Sequence, residues 1–149
     1  MAHSPNFIET IVISTRIRLA RNFASYPFPK RMDDAQAAAT GQDVSAFITA
    51  YVAEHYMEEL TLKDLSARLN YSLPYISKRF KEDVGVSFVH YLQNYRVMEG
   101  CRLLSSSNRS LSEITEMVGY RDVKFFAEMI KRYTGVSPRE YRKKHRRED

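Results

Sequence analysis

Arg16 and Arg18 stand two apart in a segment where Ile11, Ile13, Thr15, Ile17 and Leu19 alternate with Val12, Ser14, Arg16 and Arg18. That is the period of a strand with one apolar edge, so both guanidinium forks point the same way, an arrangement that suits phosphate oxygens. A larger set of cations is spread further along. Residues 58–147 carry 18 Lys or Arg against 11 Asp or Glu, while residues 1–43 carry 5 against 4. The chain runs out through Arg142, Lys143, Lys144, Arg146 and Arg147. A basic stretch of this kind fits a polyanionic partner, nucleic acid foremost, and its alternative reading is a solvated basic face. Cys101 is the single cysteine. It permits neither a disulfide within the chain nor a cysteine-rich zinc site, and it reads as a small buried apolar residue.

The elements that must position the second set repeat. Thr61-Leu62-Lys63-Asp64-Leu65 aligns with Ser110-Leu111-Ser112-Glu113-Ile114, and Leu69-Asn70-Tyr71 with Val118-Gly119-Tyr120, at an offset of 49. After one extra residue the offset is 50. Ser72 then faces Asp122, Tyr75-Ile76 faces Phe125-Phe126, Lys81 faces Lys131, Gly85-Val86-Ser87 equals Gly135-Val136-Ser137, and Tyr91 equals Tyr141. Each block reads as two short helices. The first opens on a capping box, Thr61 to Asp64 or Ser110 to Glu113. It carries an apolar stripe, Leu62, Leu65 and Leu69 or Leu111, Ile114 and Val118, and ends at a residue that tolerates a left-handed backbone, Asn70 or Gly119. The second starts at Ser72 or Asp122, with Pro74 in the first turn, where a missing N–H is harmless. Two short helices and a tight turn describe a helix-turn-helix, whose second helix can enter a DNA major groove.

Between the blocks, Ser87 to about Ser105 reads as one long helix bearing Phe88, Leu92, Tyr95, Val97, Cys101 and Leu104. Its length, about 27 Å, approaches the roughly 34 Å between successive major-groove faces. Residues 44–57 give a further amphipathic helix through Val44, Phe47, Ile48, Tyr51 and Val52, and Ser137-Pro138-Arg139-Glu140 opens a last one with a capping box. The fold class expected is all-α: two helix-turn-helix units joined by a long linker helix, about seven helices, with a short non-helical N-terminal segment that includes one strand. A helical bundle that binds protein is the alternative. At 149 residues, 44% hydrophobic and 28% charged, the chain suits one soluble domain or two very small ones. No apolar run is long enough for a membrane span and no basic-then-apolar leader opens the chain, so the expected location is the cytoplasm.

Residues 44–145 resemble the DNA-binding domain of the AraC/XylS family of bacterial transcription regulators. The residues that carry the resemblance are Leu111-Ser112-Glu113-Ile114, Val118-Gly119-Tyr120, Asp122, Phe125-Phe126, Lys131, Tyr133, Gly135, Ser137-Pro138 and Tyr141-Arg142. The resemblance implies two recognition helices in neighbouring major-groove segments on one face of the DNA, with double-stranded DNA and the transcription machinery as partners and no metal or cofactor. By position, it implies that Pro74, Ser77 and Lys78 face bases from the first recognition helix, with Arg79 and Lys81 nearer the phosphates. In the second helix it assigns the bases to Val123, Lys124, Ala127 and Glu128, and phosphate to Lys131 and Arg132. Three positions depart from the family pattern. Glu128 stands where Arg or Lys is usual, and either accepts a hydrogen bond from cytosine N4 or weakens this half of the site by repelling phosphate. Ile130 replaces Phe, a core exchange. Gly100 replaces a small Ala in the linker helix, at a cost of about 1 kcal/mol, and would soften the coupling between the halves.

The first 43 residues read as something else. Ile11-Val12-Ile13-Ser14-Thr15-Arg16-Ile17-Arg18-Leu19-Ala20-Arg21-Asn22, followed by Tyr26-Pro27-Phe28-Pro29, resembles the opening of the catalytic domain of ATP:guanido phosphotransferases, including bacterial protein-arginine kinases. There the matching arginines, Arg16 and Arg18, help hold nucleotide phosphates. The rest of that family's machinery lies in a sheet domain far longer than this segment, so the chain is expected not to be an enzyme. Asp33 or Asp34 caps a short helix up to Gly41. Three readings stand for the segment: a leftover or joined fragment, a strand that pairs two copies into a homodimer, and a phosphate-contacting arm.

Overall fold

The structure, a computed structural model, describes residues 43–146, and these form seven helices and no strand. They are α1 (Asp43–His55), α2 (Leu62–Leu69), α3 (Leu73–Val84), α4 (Phe88–Ser106), α5 (Leu111–Met117), α6 (Val123–Thr134) and α7 (Pro138–His145). The all-α class, the seven helices and the two helix-turn-helix units on a long linker agree with the sequence. The strand through Arg16 and Arg18 and the short helix up to Gly41 lie outside the described residues.

Local chemistry sets the helix ends. Ser72, Ser87, Asp122 and Ser137 each accept the backbone N–H of the residue three positions on, from Tyr75, His90, Phe125 and Glu140. Ser110 and Glu113 form the full box: the Glu113 N–H donates to Ser110 Oγ at 3.1 Å, and the Ser110 N–H to Glu113 Oε2 at 2.8 Å. Those bonds, the backbone one first, hold the Glu113 carboxyl below its ordinary pKa. The expected boxes at Thr61 and Ser137 are only half made; at Ser137 the Glu140 N–H donates to Oγ at 3.2 Å, without the reciprocal bond from the Ser137 N–H. The Asp64 N–H donates to Thr61 Oγ1, but the carboxylate accepts from the Thr61 hydroxyl at 2.6 Å. Aspartate is one methylene shorter than glutamate and takes the nearer donor. At the other ends, Asn70 and Gly119 take the positive-φ backbone expected of them, and Gly85 and Gly135 take it too.

Two cores lie along α4. Val44, Ile48 and Val52 of α1, Leu65 and Leu69 of α2, and Ile76 and Phe80 of α3 close on Phe88, Tyr91, Leu92 and Tyr95 of α4. Phe80 sets its ring edge-on to Phe88 and Tyr91, with centroids 5.9 and 5.5 Å away. One turn further along, Val97, Cys101 and Leu104 face Ile114, Val118, Phe126, Met129, Ile130 and Tyr141. Cys101 is buried, as read from its being the sole thiol. A single 19-residue helix therefore serves as a wall of both cores and holds one helix-turn-helix unit at each end.

Gly100 does more than soften this helix. A Cβ built on it would lie 2.3 Å from Cζ of Phe126, so the absence of a side chain admits the α6 ring against the α4 backbone. Phe126 is fully buried, and Tyr120 packs against it with centroids 5.3 Å apart. Gly100→Ala gains about 1 kcal/mol of helix propensity but overpacks the core by about 1 to 3 kcal/mol. The expected result is a net loss of up to about 2 kcal/mol in urea unfolding. A clearly raised midpoint would show that the Phe126 ring retreats freely.

Candidate nucleic-acid interface

The two second helices of the units are built alike. α3 and α6 each have 12 residues, a capped N-terminus at Ser72 or Asp122, and a left-handed glycine, Gly85 or Gly135, whose N–H bonds to the carbonyl of Lys81 or Lys131. Ile76 and Phe80 turn inward from α3, and Phe126 and Ile130 do so at the same places in α6. Helical geometry then puts Pro74, Ser77, Lys78 and Lys81 on the outer face of α3, where all four are exposed. On α6, Lys124, Glu128 and Lys131 are exposed, with Val123 and Ala127 half-buried beside them, and Arg132 is exposed next to the stripe.

Arg79 stands apart from this stripe. It is partly buried and its Nε lies 3.2 Å from Asp83 Oδ2, which also accepts the Ser45 hydroxyl at 2.7 Å. The guanidinium thus helps tie α3 to α1. The basic tail divides in the same way. Arg142 donates from Nε to the Leu104 carbonyl at 3.1 Å and from Nη2 to the Arg109 carbonyl, closing the C-terminal end of α4 and the loop beyond it. Arg146 donates to Asn108 Oδ1 at 2.6 Å. Lys143 and Lys144 remain exposed, and Arg147 lies outside the described residues.

Two surface aromatics were not singled out by their sequence positions. Tyr75 and Phe125, equivalent in the repeat, are each 41% exposed in the first turns of α3 and α6. Tyr75 stacks on Tyr71 at 5.1 Å, and Phe125 sets an edge to Tyr120 at 5.7 Å. A partial signal was available: Tyr75-Ile76 and Phe125-Phe126 are adjacent pairs about 100° apart on a helix, so when Ile76 and Phe126 point to the centre of the core their neighbours lie towards its edge.

The units meet at Arg96, in the middle of α4. Its Nε donates to the Tyr56 carbonyl and its Nη2 to the Glu58 carbonyl, both at 2.8 Å, and its guanidinium lies 5.1 Å above the Tyr120 ring. Burial lowers the Arg96 pKa and raises that of Tyr120. Gly119, with φ +95°, brings the turn of the second unit against this clamp. One side chain thereby joins the loop after α1, the linker helix and the second turn.

Comparison with known proteins agrees with this architecture. Residues 65–144 match the family described as "Helix-turn-helix domain". The chain is 42% identical over 93 residues to the uncharacterized HTH-type transcriptional regulator YisR of Bacillus subtilis, a match that covers 62% of this chain and 32% of that protein. The chain spans well under half the length of the curated relatives it matches. Among solved structures it is similar to the C-terminal domain of AraT, a response regulator from Geobacillus stearothermophilus, with TM-score 0.68 and 32% identity over 71% of this chain and 88% of that one. It is also similar to the DNA-binding domain of AdpA, a global transcriptional factor solved in complex with a target DNA, with TM-score 0.64 and 29% identity over 67% and 90% of the two chains. The resemblance of the first residues to guanido phosphotransferases finds no support in these matches. On the family match over residues 65–144, the chain belongs to the helix-turn-helix domain family.

Proposed function

We propose that the protein is a sequence-specific DNA-binding transcriptional regulator that lays α3 and α6 into successive major-groove segments. The observation that carries this reading is the duplication itself: two equally capped, equally long helices with matching exposed stripes stand at the two ends of one rigid helix. The AdpA domain, which has this fold, is bound to its target DNA, and YisR is by name a transcriptional regulator. Pro74, Ser77 and Lys78 on one helix and Val123, Lys124, Ala127 and Glu128 on the other are the side chains placed to meet base edges. Lys81, Lys131 and Arg132, with Lys143 and Lys144, are placed to meet phosphates. Arg79 acts by positioning α3 rather than by free contact. The protein works in the cytoplasm with the transcription machinery and performs no catalysis; pairing of two copies through the first residues remains part of this proposal. No helix of the described residues is long and apolar enough to cross a membrane.

Footprinting tests the reading. Two protected segments about one helical turn, roughly 10 base pairs, apart on the same face of the duplex are expected. A single protected segment, or two on opposite faces, would contradict two-helix docking.

A further inference from the structure

Lys78 and Glu128 occupy the same place in the repeated scaffold. Each is the sixth residue of a 12-residue helix, counted from equivalent caps, and each is exposed. Their charges are opposite, whereas Lys81 and Lys131, three residues further on, are identical. Neither side chain is held elsewhere in the fold. Lys78 Nζ is 4.0 Å from Glu82 with both groups largely in water, a weak pairing. Among the described residues Glu128 forms no ion pair, although Lys124 and Lys131 lie one turn to either side.

This combination matters because a duplicated scaffold raises a problem of register. With equivalent helices and equivalent phosphate-facing lysines, the DNA backbone distinguishes the two units poorly, and a shift by one turn or a reversal keeps many contacts. The difference must come from groups of unlike chemistry at equivalent places. An ammonium offers only donors, which suit guanine O6 and N7; a carboxylate offers only acceptors, which suit cytosine N4. Each is rejected by the other's base, since ammonium against an amino group, or carboxylate against O6 and N7, leaves like partial charges opposed.

Resting on the DNA-binding reading above, we infer that Lys78 and Glu128 are a pair of opposite base readers that fix the register and direction of the chain on DNA. Lys78 takes a guanine under α3, and Glu128 takes a cytosine at the equivalent step under α6.

The test is selection of bound sequences from random duplexes by the full chain, by Lys78→Glu, by Glu128→Lys and by the double exchange, with Glu128→Gln as a nearly isosteric control. The wild type is expected to select unlike bases at two steps about one helical turn apart, each with roughly 5- to 150-fold preference. The double exchange should interchange those two bases and keep their spacing. Glu128→Gln should move the second preference from cytosine towards adenine, which a glutamine amide can meet with one acceptor and one donor. Circular dichroism checks that each variant is folded; the glutamine variant alone suffices if the exchange is not. Unchanged preferences at both steps in folded, binding variants would overturn the inference, as would a Glu128→Lys protein that binds all duplexes more tightly with the same sequence choice. Failure of the wild type to enrich any sequence would instead sink the DNA-binding reading.

Discussion

Gly119→Ala is expected to destabilise the protein by about 2 to 5 kcal/mol, the sum of roughly 1 to 2 for a left-handed alanine and roughly 1 to 3 for overpacking. Gly119 has φ +95°, and a Cβ built there lies 2.8 Å from the Tyr56 carbonyl oxygen and 3.1 Å from Arg96 Nη2. The methyl group would land on the oxygen to which Arg96 Nε donates. It therefore strains the backbone and opens the clamp in a single step. Gly85 and Gly135 separate the two causes, because both have positive φ and neither would place a Cβ within 4 Å of another atom. Alanine at either should cost only the backbone part, about 1 to 2 kcal/mol. Urea unfolding of the three variants gives the comparison directly. Equal losses at all three positions would mean that the close approach at Gly119 has no energetic weight. A larger loss at Gly119, together with an affinity loss relative to wild type that is greater on a duplex carrying both segments than on a duplex carrying one, would show that Arg96 sets how the two units sit relative to each other.

The features that sequence made legible are those fixed within a few residues. The Ser72, Ser110, Asp122 and Ser137 caps, the left-handed ends and the apolar stripes each depend on neighbours three or four positions away, and the repeat offset carried them from one unit to the other. What escaped is decided across the chain. Arg79 is drawn to Asp83, and Asp83 to Ser45, 38 residues earlier. Arg142 turns back to Leu104, also 38 residues away, to cap the linker helix. A list of cations could not separate these arginines from Lys81 or Lys131. Gly100 misled in the same sense: helix propensity assigns it a cost, while its value lies in the Phe126 ring 26 residues further along. The half-made boxes at Thr61 and Ser137 are the local exceptions, the first set by the shorter Asp64 side chain, which takes the Thr61 hydroxyl.

Sorting cations by their internal partners gives the last expectation, an affinity for duplex DNA that falls steeply with salt. Lys81, Lys131, Arg132, Lys143 and Lys144 are exposed and form no ion pair among the described residues. If all five meet phosphates, counterion release gives a slope of about −4 to −5 in log affinity against log salt, a loss of several hundredfold between 50 and 200 mM. Removing a single phosphate partner, as in Lys81→Ala or Lys131→Ala, should reduce the slope by about one unit while leaving sequence choice intact. Arg142→Ala should behave differently: its guanidinium is committed to the Leu104 and Arg109 carbonyls, so the loss should appear in stability while the slope stays the same. The same measurement decides the role of Arg16 and Arg18. Deleting residues 1–40 leaves α1 and every buried core residue of the described chain in place, and the slope is expected to stay unchanged. A slope smaller by about two units would show both arginines on phosphate, and binding lost but recovered at higher protein concentration would show that the segment pairs two copies. A wild-type slope near zero would remove the electrostatic basis for DNA binding altogether, because exposed cations cannot meet the phosphates of a duplex without displacing its counterions.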